Sequence, residues 1–371
     1  MKHEDVSVEH QESVDEDDEF RSGVVAVVGR PNVGKSTLVN AIVRARVAIT
    51  SPRPQTTRGR LFGVRTTPDY QIAFVDTPGY HRGKTLLNRA MLGVVREESE
   101  GADRVLFVVD GSRLPQKDDV DAATLLMGGR SAANASAVPS RSSKDARAEA
   151  SPPGDEFADM GAEADEPAEA SPPCAPSEGP ARVLEPRVPV LLVVNKTDLV
   201  DDPEVLASNI EAYRRLGVFC EVFEVSAASG RGLAPLERAL ASALPPGPQL
   251  FPEDMVTDQD ERVRITEMIR EKALLETRQE VPHAIAVEVE ELREGRSPGT
   301  RYVRATIYVE KDSQKAIVVG KGGMRLKRIG QMARTDIAQM LGTRVYLDLW
   351  VKVKEDWRER KDVLRAWGFN V

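Results

Sequence analysis

The chain carries the stretch Val24-Val25-Ala26-Val27-Val28-Gly29-Arg30-Pro31-Asn32-Val33-Gly34-Lys35-Ser36-Thr37, and this stretch decides its fold. The five leading apolar residues predict a buried strand, and the apolar pattern that starts at Lys35 predicts a helix. Backbone N–H groups at the start of such a helix, together with the positive end of its dipole, favour bound anions. We therefore predict that a phosphate-binding loop is formed by Gly29, Arg30, Pro31, Asn32, Val33, Gly34, Lys35, Ser36 and Thr37.

A second short motif, Asp76-Thr77-Pro78-Gly79-Tyr80, follows another apolar run and places Asp76 at the end of a predicted strand. Its carboxylate can hold Mg²⁺ together with the Ser36 hydroxyl, while Lys35 reaches the β- and γ-phosphates. The backbone N–H of Gly79 is then available to the γ-phosphate. The two motifs together predict a site for a nucleoside triphosphate and its Mg²⁺.

A third motif, Asn195-Lys196-Thr197-Asp198, follows a further apolar run and predicts which base is bound. The Asp198 carboxylate can accept hydrogen bonds from N1–H and the exocyclic amine of guanine, a donor pair that adenine lacks. Asn195 and Lys196 are expected to support the base and the loop. Ser226-Ala227-Ala228, after one more strand-like run, fits a backbone contact to O6 of guanine. The predicted ligands are therefore GTP and GDP.

Length and composition limit the classes of protein that fit. The 371 residues suffice for two domains of ordinary size, and the only two cysteines, Cys174 and Cys220, form no disulfide framework and no zinc spacing. We interpret this as a protein of the reducing cytosol. No apolar run reaches the length of about 18 residues that a membrane-spanning helix needs, and no secretory signal is recognisable.

The net charge of −8 is unevenly distributed along the chain. Residues 1–20 contribute −8 and residues 131–180 contribute −7, which leaves about +7 on the remainder. Both acidic segments are poor in large apolar side chains, so we predict a disordered arm over 1–21 and a disordered insertion over 128–187. The positive remainder permits an anionic partner larger than a nucleotide.

The rest of the chain divides into two predicted domains. Over residues 22–244 strands alternate with helices, which predicts an α/β domain with a mostly parallel sheet, helices on both faces and ligands at the carboxyl ends of the strands. Its predicted strands are 24–28, 61–66, 71–75, 104–109, 188–194 and 220–225, and its predicted helices are 35–45, 85–100, 204–216 and 233–243. The segment 245–256 is the predicted linker to a second domain, residues 257–371.

The second domain has a different pattern. A charged helix over 258–278 precedes two alternating runs, His283 to Leu292 and Tyr302 to Val309, and these predict a hairpin. Two helices flanking Gly320-Lys321-Gly322-Gly323, a strand from Val345 to Val351 and a helix near 355–366 follow.

A GxxG loop between two helices on a small sheet is the arrangement by which a KH domain clamps about four nucleotides of single-stranded RNA. No residue from 315 to 334 is acidic, so the loop lies in a positive local field. We predict a type II KH domain of the α+β class in which RNA is bound by Gly320, Lys321, Gly322, Gly323, Arg325, Lys327 and Arg328.

Taken together, the two domains resemble the bacterial Era GTPases. The resemblance covers residues 22–127 and 188–371, and it rests on the nucleotide motifs and on three further segments, Ala48-Ile49-Thr50-Ser51-Pro52-Arg53-Pro54-Gln55-Thr56-Thr57-Arg58, Val318-Val319-Gly320-Lys321-Gly322-Gly323 and Leu347-Asp348-Leu349-Trp350-Val351-Lys352-Val353-Lys354. It implies a cytoplasmic, monomeric GTPase that binds the 3′ region of 16S ribosomal RNA and acts in maturation and assembly of the 30S subunit. It also implies a peripheral contact with the inner face of the cell membrane.

The resemblance further implies that Gln55, Thr56, Thr57 and Arg58 form switch I. Thr57 is then the first choice as a ligand of Mg²⁺, and Thr56 is the second. The segment from Asp76 to Tyr80 resembles switch II.

One departure from the pattern of other GTPases bears on hydrolysis. Tyr80 stands where other GTPases carry a glutamine that orients the attacking water, so we expect slow intrinsic hydrolysis of GTP. Asn32 suggests a remedy, because related GTPases use an asparagine of this loop to hold a K⁺ ion in place of an arginine finger.

Two other functions stay open at this point. One is a GTPase partner of tRNA modification, because relatives of that type share the phosphate loop and the motif that begins at Asp76. That class is expected to carry an additional helical domain and a C-terminal cysteine motif, and this sequence has neither. The other is an RNA-binding chaperone with little nucleotide gating.

Overall fold

The computed structural model describes residues 19–50, 60–80, 85–128, 188–277, 281–367, 369 and 371. Most of the predicted acidic arm, nearly all of the predicted insertion and the four predicted switch I residues, Gln55 to Arg58, lie outside these ranges. Within them, no helix combines the length and the apolar character needed to cross a bilayer.

The first part of the chain consists of these elements, in chain order: β1 (Arg21–Val28), α1 (Lys35–Val43), β2 (Leu61–Thr66), β3 (Tyr70–Asp76), α2 (Leu86–Glu100), β4 (Arg104–Asp110), α3 (Lys117–Leu126), β5 (Val190–Asn195), α4 (Pro203–Arg214), β6 (Val222–Glu224) and α5 (Leu233–Ala243). The strands form a six-stranded sheet in the order β2-β3-β1-β4-β5-β6. Strand β2 runs antiparallel to β3, and the other pairs are parallel.

Both faces of this sheet are covered because alternate strand residues feed two separate cores. Val25 and Val27 of β1 pack with α1 and α5, whereas Ala26 and Val28 pack with α2, α3 and α4. Buried strands of this kind are apolar at nearly every position, as the sequence from Val24 to Val28 is. The parallel pairing brings the carboxyl ends of β1, β3, β4 and β5 to one edge, where Asp110 lies beside Asn195.

The second part of the chain consists of α6 (Glu261–Glu276), β7 (Ala286–Glu294), β8 (Thr300–Val309), α7 (Asp312–Val319), α8 (Met324–Leu341), β9 (Arg344–Val353) and α9 (Lys361–Ala366). Its strands form a three-stranded sheet in the order β7-β8-β9. Strands β7 and β8 form the predicted antiparallel hairpin, and β9 pairs parallel to β8. Apolar residues of α6 and α8 cover one face of this sheet. This order of elements is that of a type II KH domain and confirms the predicted fold class.

Several element boundaries differ from the prediction. Helix α3 was not predicted, because its buried stripe consists of Ala122, Ala123 and Leu126, and alanine gives a weak apolar signal. His283 lies in a 3₁₀ turn, Val281–Ala284, and not in β7. The carbonyl of Ala284 accepts a hydrogen bond from the indole Nε1–H of Trp357 at 2.9 Å, which ties this turn to a distant segment that local pattern cannot reveal.

Candidate functional site

The phosphate loop joins β1 to α1 and is held by neighbouring strands. The carbonyl oxygen of the buried Val33 accepts a hydrogen bond from Asn195 Nδ2 at 2.8 Å. A Cβ on Gly29 would lie 2.2 Å from the carbonyl oxygen of Val108 in β4. Gly34 has a φ of 100°, and a Cβ there would lie 2.3 Å from Asn195 Nδ2. Glycine is therefore required at both positions by backbone angle or by close approach.

Lys35 lies inside this loop. Its Nζ donates hydrogen bonds to the carbonyl oxygens of Gly29 at 3.1 Å and Arg30 at 3.3 Å. Burial lowers the pKa of Lys35 to about 8, and the Asp76 carboxylate opposes this shift. The structure thus places a buried amine where the sequence predicts the β- and γ-phosphates.

Ser36 and Asp76 come together at the start of α1, although 40 residues separate them in the chain. The Ser36 hydroxyl donates a hydrogen bond of 2.6 Å to Asp76 Oδ2, and both side chains are buried. Hydroxyl and carboxylate oxygens are the ligands that Mg²⁺ prefers. These two predicted metal ligands therefore fit that ion by position and by chemistry.

The predicted switch II segment contacts the phosphate loop directly. The backbone N–H of Tyr80 donates to the carbonyl of Gly29 at 3.0 Å, and a Cβ on Gly79 would lie 2.8 Å from Cγ of Pro31. The Thr77 hydroxyl is directed to the carbonyl of Val27 at 2.7 Å. The Tyr80 side chain is 4% exposed and packs in the core under the sheet. A phenol placed there is not positioned to orient an attacking water, and slow intrinsic hydrolysis stays a prediction.

The predicted base-binding residues meet the phosphate loop through Asn195. Its side-chain Oδ1 accepts from the backbone N–H of Ala227 at 2.9 Å, while its Nδ2 holds Val33. One buried amide therefore joins the phosphate loop to the Ser226-Ala227-Ala228 turn. The hydroxyl of Ser226 accepts from the backbone N–H of Ser229 at 3.2 Å and shapes that turn.

The other predicted residues of this site differ in exposure. Asp198 is exposed in the 3₁₀ turn Thr197–Leu199, and Ala228 is exposed as well. Asn32 is exposed with a φ of 65°, and Thr37 is half-buried in the first turn of α1. The side chain of Arg30 is buried, and it forms ion pairs with two carboxylates of the protein.

The GxxG loop links α7 to α8 and is open to solvent. Gly320, Gly322 and Gly323 have φ values of 71°, 61° and 75°, which favour glycine. A Cβ at Gly322 or Gly323 would meet nothing within 4 Å. The loop thus presents its backbone to the outside, as a clamp for a phosphate backbone requires.

The predicted basic residues of this loop are not equivalent. Lys321 and Lys327 are exposed. The Arg325 guanidinium donates to the carbonyl of Ile317 in α7, so it braces the loop. Arg328 forms an ion pair of 3.1 Å with Glu276 of α6, although its side chain is 69% exposed.

Two family models match the chain. Residues 24–134 match a family described as 50S ribosome-binding GTPase, and residues 280–358 match the KH domain. Among curated proteins, GTPase Era of Halothermothrix orenii is 38% identical over 95% of this chain and 99% of its own length. GTPase Era of Heliobacterium modesticaldum is 39% identical over 95% of this chain and 98% of its own length.

The chain belongs to the Era family of GTPases. Two solved Era structures, each 32% identical, cover 95% of this chain and 100% of their own. One is Era in complex with MgGDPNP and nucleotides 1506–1542 of 16S ribosomal RNA, with a TM-score of 0.75. The other is a tyrosine-to-alanine variant of Aquifex aeolicus Era bound to GDP and AlF₄⁻, with a TM-score of 0.76.

In this member of the Era family, an ionic cluster links α1 to the KH domain. Arg46, three residues after the end of α1, pairs with Asp336 of α8 at 2.9 Å and with the buried Glu271 of α6. Lys272 joins the cluster through Asp336 at 2.7 Å and Glu271 at 3.2 Å. The predicted switch I begins nine residues after Arg46, at Gln55.

A second contact links α2 to the KH domain. Leu87 and Met91 of α2 are buried in one apolar cluster with Trp357 and Leu364. The backbone N–H of Leu86 also donates to Glu359 Oε2 at 3.3 Å. Since α2 follows the predicted switch II segment, the KH domain contacts the chain beside both predicted switches.

Sequence reasoning missed these contacts and the partners of Arg30. The position of Asp110 could have been predicted from the sequence. Asp110 ends an apolar run, as Asp76 does, and therefore lies at the same edge of the sheet. No sequence pattern indicates the contacts of Arg46, Trp357 and Asp119, since their partners are distant in sequence and nothing in the local pattern selects them.

Proposed function

We propose that this Era-family chain is a GTP-hydrolysing molecular switch that binds the 3′ region of 16S rRNA and acts in maturation and assembly of the 30S subunit. The observation that carries the proposal is the bridge made by Asn195, which joins the phosphate loop at Val33 to the predicted base loop at Ala227. A GxxG loop open to solvent lies in the same chain.

The chemistry follows from the placement of these groups. The backbone N–H groups of Gly29 to Ser36, apart from Pro31, which has none, hold the phosphates. The ammonium of Lys35 offsets charge that builds on the β–γ bridging oxygen as it leaves the γ-phosphorus. Ser36 and Asp76, with Thr57 from switch I or else Thr56, are the proposed ligands of Mg²⁺, which neutralises phosphate charge when bound. The structure of the related Era with MgGDPNP supports this choice of ion.

Two further assignments depend on the resemblance. K⁺ is proposed to bind with the help of Asn32, whose exposed, left-handed position on the loop is compatible with that role. Residues Gln55 to Arg58 are proposed as switch I.

The description of the first family model names the 50S subunit, whereas the solved Era complex contains 16S rRNA. We propose 16S rRNA as the partner, because the Era relatives match 95% of this chain, whereas the family model that names the 50S subunit matches only residues 24–134. Membership of the Era family also favours this function over the tRNA-modification partner and the chaperone. A division into domains at 22–244 and 257–371, a monomeric state, a cytoplasmic location and a peripheral membrane contact stay predictions.

The switch requires that the nucleotide alter RNA binding, and two contacts are placed to do this. The cluster around Arg46 lies before switch I, and the apolar contact at Leu87 lies after switch II. A change in either switch that depends on the γ-phosphate would shift an element packed against the KH domain.

The test is the affinity for an RNA that matches nucleotides 1506–1542 of 16S rRNA, measured with a GTP analogue, with GDP and against a scrambled RNA. We expect sequence-dependent binding that is at least about tenfold tighter with the GTP analogue, a coupling of about 1.4 kcal/mol. Equal binding of both RNAs in both nucleotide states contradicts the proposal.

Two variants sharpen this test. In Asp198→Asn the amide can donate to the 2-oxo group of xanthine, so the RNA response should require a xanthosine triphosphate analogue instead of GTP. Arg46→Gln leaves both binding sites intact and should reduce the difference between the GTP-analogue and GDP states. If Arg46→Gln keeps the full difference, the coupling is not carried by this cluster.

A further inference from the structure

Arg30, the second residue of the phosphate loop, is directed away from the loop and toward two acidic residues. Its Nε lies 3.1 Å from Asp119 Oδ2 of α3, and its Nη2 lies 3.6 Å from Asp110 Oδ2 at the end of β4. All three side chains are buried. A buried charge is tolerated only when it is paired, and these two carboxylates account for the burial of the Arg30 guanidinium.

Asp110 also holds a residue of the predicted base site. Its Oδ2 accepts a hydrogen bond of 2.8 Å from Nζ of Lys196, while its Oδ1 accepts from the Ser112 hydroxyl at 2.7 Å. Lys196 itself has a φ of 64°, an unfavourable angle for a lysine, which the surrounding contacts must maintain. One carboxylate oxygen therefore lies between a cation of the phosphate loop and a cation of the base loop.

The two carboxylates beside Arg30 are not alike. Burial acts to raise the pKa of Asp110, but the hydrogen bonds from Lys196 and Ser112 outweigh it and the pKa is lowered. Burial raises the pKa of Asp119 in spite of the Gln116 backbone N–H and Arg30. Asp119 contacts Arg30 and caps α3 but does not contact Lys196. Of the two carboxylates, Asp110 is therefore the one that contacts both the phosphate loop and the base loop.

We propose that Asp110 is a positioning residue for the guanine nucleotide: it holds Lys196 of the base loop in place, at a point 3.6 Å from Arg30 of the phosphate loop. The proposal rests on the proposed function, because it assumes that Asn195-Lys196-Thr197-Asp198 binds the guanine base. Asp110 touches neither base nor phosphate in this scheme. Asp110 acts through Lys196, so the experiment compares the effect of Asp110→Asn in the presence and absence of the Lys196 side chain.

The experiment is a double-mutant cycle on the affinity of the full chain for fluorescent GDP. Asp110→Asn should weaken GDP binding about tenfold or more, because a charge-assisted hydrogen bond is lost and a donor faces Lys196. In the Lys196→Ala background the same substitution should change affinity by less than about threefold, since its target is gone. Asp119→Asn is the matched control, and its effect should stay within about threefold and add to that of Lys196→Ala.

Each outcome is decisive. The proposal fails if Asp110→Asn lowers the affinity for GDP equally in the wild-type and Lys196→Ala backgrounds. It also fails if Asp119→Asn lowers the affinity for GDP as much as Asp110→Asn does. Either result would mean that the carboxylates only support the fold. If Asp110→Asn does not fold, Ser112→Ala gives the same test, with an expected loss of about fivefold that disappears in Lys196→Ala. Wild-type protein that does not prefer GDP to ADP overturns the proposed function as well, whereas normal wild-type binding with an unaffected Asp110→Asn overturns this inference alone.

Discussion

The phosphate loop and the GxxG loop are both glycine-rich segments that lead into a helix, but the glycines serve different ends. In the phosphate loop, added Cβ atoms at Gly29 and Gly34 would lie 2.2 and 2.3 Å from the protein itself. In the GxxG loop, Cβ atoms at Gly322 and Gly323 would meet no atom of the described residues within 4 Å. In the phosphate loop glycine avoids contacts with the protein itself, whereas at Gly322 and Gly323 the space beside the backbone is left open for a ligand to approach.

The sharpest test of this comparison is an alanine in each loop. Gly29→Ala places a methyl group against the backbone oxygen of Val108, which no side-chain movement can relieve. We expect the free energy of unfolding to fall by about 3 kcal/mol, with loss of GDP binding. Gly322→Ala meets only the penalty for a φ of 61°, about 1 kcal/mol. Urea unfolding and titrations with GDP and RNA measure both.

The two substitutions would contradict the comparison if their effects were alike. A Gly322→Ala protein destabilised as much as Gly29→Ala would mean that the GxxG loop is braced by contacts that the structure lacks. Gly322→Ala should act on RNA affinity, because its methyl group occupies the open side of the loop.

The lysines of the two loops also differ in burial, because Lys35 is buried and Lys321 is exposed. The folded-state pKa of Lys35 is about 8, below its ordinary value of 10.5, chiefly because of burial. Between these values the unfolded chain binds more protons, so the stability of the nucleotide-free protein should rise with pH, by about 1 kcal/mol per pH unit relative to Lys35→Met. The rise ends above the unfolded-state value, where Lys35 is neutral in both states.

The measurement is urea unfolding near pH 8 and near pH 10 for wild type, Lys35→Met and Lys321→Met. The last variant removes an exposed lysine and controls for the loss of one positive charge. Parallel stability curves for wild type and Lys35→Met would show that Lys35 is not held in a desolvated position.

The same contrast explains what the sequence could predict. Motifs such as the one beginning at Asp76 follow apolar strands, and parallel pairing brings strand ends together, so the sequence alone predicts that Ser36 and Asp76 lie in one site. The KH fold followed from the order of alternating and helical runs. Arg46 with Glu271 and Leu87 with Trp357 were not predictable, because pairs between distant segments leave no periodic trace in either segment.

Within the phosphate loop, Asn32 is the exception to burial, and it sharpens the comparison in a different way. Asn32 is exposed with a φ of 65°, so in exposure and backbone angle it resembles the residues of the GxxG loop more than the other residues of the phosphate loop. If it helps to hold K⁺, Asn32→Ala should slow GTP hydrolysis about tenfold in potassium buffer, a barrier change of about 1.4 kcal/mol, and have little effect in sodium buffer. Normal hydrolysis by Asn32→Ala in both buffers excludes this role.

The smallest expected effect lies within the GxxG loop, where Lys327 and Arg325 differ in their contacts. Lys327 is exposed, so Lys327→Ala should weaken RNA binding about threefold and reduce the salt dependence by about one phosphate contact. Arg325 donates to the Ile317 carbonyl across the loop, so Arg325→Ala should weaken binding by loosening the loop, with the salt dependence unchanged. Affinity measured across a series of potassium chloride concentrations separates the two. Equal salt slopes for both variants would mean that Arg325 also contacts phosphate, and the division between bracing and binding residues would then fail.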